Sequence, residues 1–255
     1  MRRRTASFAA LAGVLAMSAC SAAAPGAPDG EGATTATTVT VFAAASLGDV
    51  FGRLTGPFEA EYPGARVVLN VGGSASLAQQ LVAGAKADVF ASASPEAMAP
   101  VLDAGLIAQD APFARNTLEI AVPAGNPAGV EDLRAFADPD LRIALCAPEV
   151  PCGAAAQAAF AAAGVTPAPD TLEQEVTAVL TKVRLGEVDA GLVYRTDVLA
   201  AGSEVEGLQF AESGKAATEY RIGAVEGAGP LAAEFVAFVL TDAQDALREA
   251  GFAAP

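Results

Sequence analysis

The sequence predicts an α/β protein of two lobes, each a mostly parallel sheet flanked by helices and joined to the other by a two-strand hinge. Three observations carry that prediction. Short apolar runs alternate with longer helical stretches from Thr38 onward, the pattern of parallel strands covered by crossover helices. The alternation comes in two successive sets. The chain has 255 residues, 53% of them hydrophobic, enough for one or two compact domains with real cores.

In the first set, "TVTVFAAA" (38–45) reads as a strand and "LGDVFGRLTGPFEAEY" (47–62) as a helix. "ARVVLNVG" (65–72) is a strand, "SLAQQLVAGA" (76–85) a helix, "ADVFASA" (87–93) a strand and "PEAMAPVLDAGL" (95–106) a helix. After "LEIAVPAG" (118–125) the second set gives the strand "LRIALCA" (141–147), the helices "CGAAAQAAFAAAG" (152–164) and "EVTAVLTKVRLGE" (175–187), and the strand "AGLVY" (190–194). "YRIGAVEG" (220–227) and "PLAAEFVAFVLTDAQDALREAGF" (230–252) return to the first lobe as a strand and closing helices. The chain is expected to cross between lobes near Asn116 to Ala121 and near Glu219 to Gly223. The first lobe then comprises residues 38–118 and 221–255, and the second 119–220.

Residues 1–19 read as a signal segment. Arg2, Arg3 and Arg4 precede the apolar stretch "FAALAGVLAMSA", which is too short to span a membrane comfortably. "MSAC" looks like a lipoprotein processing site that would leave Cys20 acylated, with Met17 in place of the usual leucine; a plain secretory peptide cleaved nearby is the alternative. Residues 20–37 are small, Pro/Gly/Thr-rich and read as a flexible tether.

Composition excludes several functions. Fifteen Lys+Arg stand against thirty Asp+Glu, a balance that repels nucleic acid and anionic lipid. No histidine is present, so neither a Ser-His-Asp nor a Cys-His nucleophile system can be assembled. With Cys20 lipidated, Cys146 and Cys152 remain as one pair across a Pro-containing loop; they read as a local disulfide, with two packed thiols as the alternative.

At "VFAAASLGD" a strand meets a helix through Ser46 with no intervening loop. Ser46 with Asp49 fits a capping box, and Ser76 with Gln79 repeats that spacing. The junction itself also recurs. "VGGSAS" places Gly72, Gly73 and Ser74 before a helix, "PCG" and "QEV" open two more, and Tyr194 ends a strand. Ligands of parallel α/β sheets bind where strands end and helices begin, on unpaired N–H groups at the positive dipole end. Several polar junctions without a nearby Lys or Arg describe a cleft that holds an anion with neutral dipoles.

At these residues the chain resembles the molybdate-binding proteins of ABC importers, a family with the type II periplasmic-binding-protein fold. The resemblance runs from about Val39 to the C-terminus, on "VFAAASL", "GSASLAQQL" with "ADVFASAS", "APEVPCG" and "GLVY", in order and spacing. It implies oxyanion contacts from the hydroxyls and N–H groups of Ser46 and Ser74, the N–H groups of Cys152 and Val176, and the hydroxyl of Tyr194. The implied function is an extracytoplasmic, lipid-anchored, monomeric receptor that captures molybdate or tungstate and delivers it to permease subunits. It has no catalytic residue, no cofactor and no nucleic-acid partner, and meets the membrane only through its lipid. Acidic rim residues such as Asp49, Glu96 and Glu149 would either face the permease or simply be solvated. The same fold holding sulfate or an organic anion is the nearest rival. An anchored enzyme using Asp88, or Glu175 with Lys182, and a structural surface protein are the others.

Overall fold

A computed structural model describes residues 37–255; the expected signal segment, most of the tether and Cys20 lie outside the described residues. Within the described residues the chain builds two five-stranded sheets. In the first, β1 (Thr37–Ala44) lies between β2 (Ala65–Gly72) and β3 (Val89–Ser92), both parallel to it. Beyond β3 come β10 (Thr218–Ala224), antiparallel, and β4 (Ala111–Asn116) at the edge. In the second, β6 (Ile143–Cys146) lies between β7 (Thr171–Glu173) and β8 (Ala190–Tyr194), again parallel, followed by antiparallel β5 (Leu118–Pro123) and edge strand β9 (Val205–Leu208). Four strands of five therefore run one way in each sheet. The exceptions, β5 and β10, are the first strands made after the chain crosses from one lobe to the other.

Helices fill the crossovers. The first sheet is covered by α1 (Gly48–Glu61), α2 (Ser74–Val82), α3 (Pro95–Asp103), α7 (Pro230–Leu240) and α8 (Gln244–Glu249). The second carries α4 (Pro151–Ala163), α5 (Val176–Arg184) and α6 (Arg195–Ala201). The central strands are buried on both faces, and the helices turn their apolar sides onto them. Phe51 and Phe58 of α1 meet Phe235 of α7 edge-on, with ring centroids 6.0 and 5.1 Å apart. In the second lobe Val179 and Val183 of α5 pack beneath β8, whose five residues are all buried.

Sheet membership changes across Thr117, between β4 and β5, and again before Thr218. Both crossings fall slightly earlier than the expected boundaries, because Leu118 pairs with Tyr194 in the second sheet and Thr218 with Asn116 in the first. Four short elements, β4, β7, β9 and α6, have no counterpart among the sequence expectations. The two expected capping boxes are not formed. A 3-10 turn over Ala45–Leu47 precedes α1, so Ser46 lies inside a turn and α1 has no side-chain cap. The next helix starts at Ser74, two residues early, which puts Ser76 in its first turn; there its hydroxyl accepts from the Gln80 amide instead.

Candidate functional site

The C-terminal ends of the parallel strands of both sheets point at one cleft. Ser46, Ser74, Cys152, Val176 and Tyr194, the five residues singled out in the sequence, all line one cavity there. Its volume is about 20 Å³, small beside the groove that adjoins it. A larger groove of about 500 Å³ opens on the other side of Ser46, but Asp49, Asp197 and Glu249 line it against one cation, Arg53, which Asp49 already pairs at 3.7 Å, and this disfavours an anion.

Four helical N-termini face the small cavity: the turn at Ala45–Leu47, α2 behind Gly73, α4 behind Val150 and α5 behind Glu175. None has a side-chain cap, whereas α3, which begins outside the cavity, is capped by Ser94. The first N–H groups of a helix have no carbonyl partner within it, so these termini aim unpaired donors and positive dipole ends at the same space.

Three hydroxyls complete the lining. Ser74 Oγ accepts the Ala93 N–H at 3.0 Å, which leaves the serine hydrogen free for the cavity. Ser46 Oγ lies 2.7 Å from the Tyr220 hydroxyl, a partner that the sequence did not disclose. The Tyr194 hydroxyl is buried near the Thr218 and Tyr220 hydroxyls but forms a well-aligned hydrogen bond with neither. Such an orphan is costly unless something in the cavity accepts its proton. Burial pushes the Tyr194 phenol well above its ordinary value, which keeps it a donor.

Among the described residues no lysine or arginine lines the cavity, and its one carboxylate, Glu175, accepts from Thr177 Oγ1 at 3.2 Å. Behind it, Asp197 accepts the Tyr194 N–H at 3.0 Å, and burial pushes its carboxyl up to about 7.

Glycines set how closely the walls approach. A Cβ on Gly153 would stand 1.8 Å from the Ala147 carbonyl oxygen, so only glycine lets the start of α4 lie against that loop. A Cβ on Gly73 would stand 2.6 Å from the Gln174 carbonyl oxygen, across the cleft. The lobes are therefore in contact at the cavity mouth. A disulfide joins Cys146, at the end of β6, to Cys152, in the first turn of α4.

Of the residues proposed for enzymatic alternatives, Glu175 lines the cavity and the other two are engaged elsewhere. Asp88 accepts the Thr40 N–H at 2.7 Å, and Lys182 lies 3.6 Å from both Glu173 and Glu187. Asp49 pairs with Arg53 across an exposed turn of α1, while Glu96 and Glu149 flank a separate pocket at the rim.

The chain also compares closely with known proteins. The profile of the bacterial extracellular solute-binding protein family matches residues 39–253. The molybdate-binding protein ModA of Mycobacterium tuberculosis is 41% identical over 222 residues, 84% of each chain. Among solved structures, the periplasmic molybdate-binding protein of Azotobacter vinelandii superposes with a TM-score of 0.71 at 19% identity, covering 85% of this chain and 99% of that one. The sulfate-binding protein SubI of Mycobacterium tuberculosis does so at 0.70 and 20%, covering 85% and 86%. These two share the fold with it. By its match along nearly the whole described length and its identity to a curated relative, the chain belongs to the bacterial extracellular solute-binding proteins and, within them, to the ModA family.

Proposed function

We propose that this solute-binding protein captures molybdate, and equally tungstate, in the interlobe cavity and presents it to the permease of an ABC importer, held at the membrane by lipid on Cys20. The observation that carries the reading is the convergence of four uncapped helical N-termini and three hydroxyls on a cavity that, among the described residues, no cation lines. Molybdate and tungstate are fully deprotonated dianions near neutral pH, so donors alone satisfy them. The cage would comprise the hydroxyls of Ser46, Ser74 and Tyr194 with the N–H groups of Ser46, Ser74, Cys152 and Val176. Hydrogen bonds to a charged ligand are worth about 1.5–3 kcal/mol each when enclosed, and five to seven of them leave about 8–12 kcal/mol after the cost of association, a sub-micromolar affinity. Contacts from both lobes favour the closed arrangement, which is the form a permease would recognise.

Sulfate is the rival ligand, because the fold is shared with a sulfate-binding protein. A rigid donor cage fitted to the larger tetrahedron leaves donors unpaired around sulfate. Titration calorimetry of the soluble chain with molybdate, tungstate, sulfate and phosphate tests the proposal. Tight binding of the first two and at least hundredfold weaker binding of the others is expected, with S46A, S74A and Y194F each weakening molybdate about tenfold or more. Undiminished affinity in all three variants would remove the cage as proposed.

A further inference from the structure

One side chain in the cavity wall opposes the charge of the ligand. Among the described residues Glu175 is the single carboxylate that lines the anion cavity, and it directly precedes Val176, whose N–H is one of the proposed donors. It also borders an exposed hollow along α5, with Thr177, Lys182 and Glu187, so it stands in the wall between the ligand and solvent. One carboxyl oxygen, Oε1, accepts from Thr177 Oγ1 at 3.2 Å. The other lies against the first lobe: Glu175 Oε2 would be 3.8 Å from a Cβ on Gly72, and Glu175 Cβ 3.5 Å from one on Gly73. The neighbouring cation is committed elsewhere. Lys182 Nζ lies 3.6 Å from both Glu173 and Glu187, and among the described residues no lysine or arginine forms an ion pair with Glu175.

Two forces act on that carboxylate when the lobes meet. It approaches the start of α2 behind Gly73, whose positive end attracts it. It also approaches the ligand, which repels it. A helix end carries about half a unit charge and a divalent oxyanion two full ones, so at comparable distance the repulsion is about four times the attraction. At the full dielectric of water a unit charge about 6 Å from a dianion already costs about a factor of ten in affinity, and an enclosed cavity screens less than water does. Glu175 belongs to the second lobe, Gly72 and Gly73 to the first. An anion resting on the first lobe therefore meets the carboxylate as the lobes close, and the repulsion is relieved as they open.

We infer that Glu175 is a release residue: its negative charge in the cavity wall holds the affinity for a divalent oxyanion below what the donors alone supply and speeds its departure, so that captured ligand can be handed on. The inference rests on the anion-capture reading above and adds to it a residue that opposes binding.

Titration calorimetry and stopped-flow dissociation of molybdate test this on the wild type and E175Q. Glutamine keeps the shape of the side chain and an oxygen for the Thr177 hydroxyl while removing the charge. E175Q is expected to bind molybdate about tenfold more tightly, mostly through slower dissociation, and the gain is expected to shrink as salt rises from about 20 to about 300 mM. E175A is expected to shift affinity in the same direction and serves if E175Q does not fold. Two controls separate charge at the cavity from other effects. E187Q removes a carboxylate from the outer hollow but not from the cavity, and T177V removes the hydrogen bond while leaving the charge. Each is expected to change the affinity by less than about twofold, because exposed charge is screened and a hydroxyl carries none. Affinity in E175Q equal to or weaker than wild type, or a tightening that E187Q or T177V reproduces in full, overturns the inference while molybdate capture stands. Failure of the wild type to bind molybdate overturns both.

Discussion

Asp197 is a carboxylate buried beneath the site, raised to about 7 by loss of solvent against an ordinary 3.8. Between about pH 4 and about pH 7 the folded chain therefore holds a proton that the unfolded chain has released. Linkage makes this contribution to stability complete below that window, progressively lost as pH rises through it, and flat above. Asn at this position keeps an oxygen for the Tyr194 N–H and never ionises. D197N is expected to be more stable than wild type at about pH 8, with the gap closing toward about pH 4, as urea unfolding at both pH values would measure. Gly153 makes a complementary point through space rather than charge. A methyl group there cannot coexist with the Ala147 carbonyl oxygen at 1.8 Å, so G153A must push α4 away from the loop. A stability loss of about 1–3 kcal/mol in the same unfolding assay, with weaker molybdate binding, is the expected result.

The helical N-terminus is the unit from which the site is made. Ser94 caps α3, whereas the four ends facing the cavity have no side-chain cap, a state they share with α7 and α8 but here combined with a common direction. The start of α4 is held by the Cys146–Cys152 disulfide, whose sequence separation is 6. Closing a loop that short removes about 2 kcal/mol of chain entropy from the unfolded state. Replacing both cysteines by alanine is expected to lower stability by about that amount. Because the Cys152 N–H is one of the proposed donors, molybdate affinity should fall as well, by several-fold. Calorimetry on the double variant would read the second effect independently of the first.

At the scale of the molecule, closure is a steric fit between the lobes at Gly73 and Gln174. The backbone of Gly73, with φ −61° and ψ 127°, suits any residue, so a larger side chain would act only by contact across the cleft. G73V is expected to leave the stability of the unliganded chain near wild type and to weaken molybdate by at least tenfold, and small-angle scattering should show that compaction on adding ligand is lost. The formal charge of the chain, −15, becomes −18 without residues 1–19, which carry three arginines and no acid. Such a surface repels an approaching dianion. Stopped-flow association with molybdate should therefore speed up as salt rises from about 20 to about 150 mM, the opposite of electrostatic steering.

The sequence alone determined the two-lobed α/β class and the junctions that line the cavity, because strand and helix periodicity and the turn residues between them are local properties. "ARVVLNVG" became β2 over Ala65–Gly72 without a change of boundary. The strands β7 and β9 were not legible, since runs of three and four residues carry too little pattern to separate them from loop. Nor was the partner of the Ser46 hydroxyl, a residue whose spacing to Asp49 imitates a cap. Only the tertiary structure decided that its hydroxyl meets Tyr220, 174 positions away in the chain, and that Asn116 stands behind them. All three belong to the first lobe, where β10 joins the sheet only after the whole second lobe has been built, and no local pattern in the chain encodes that pairing.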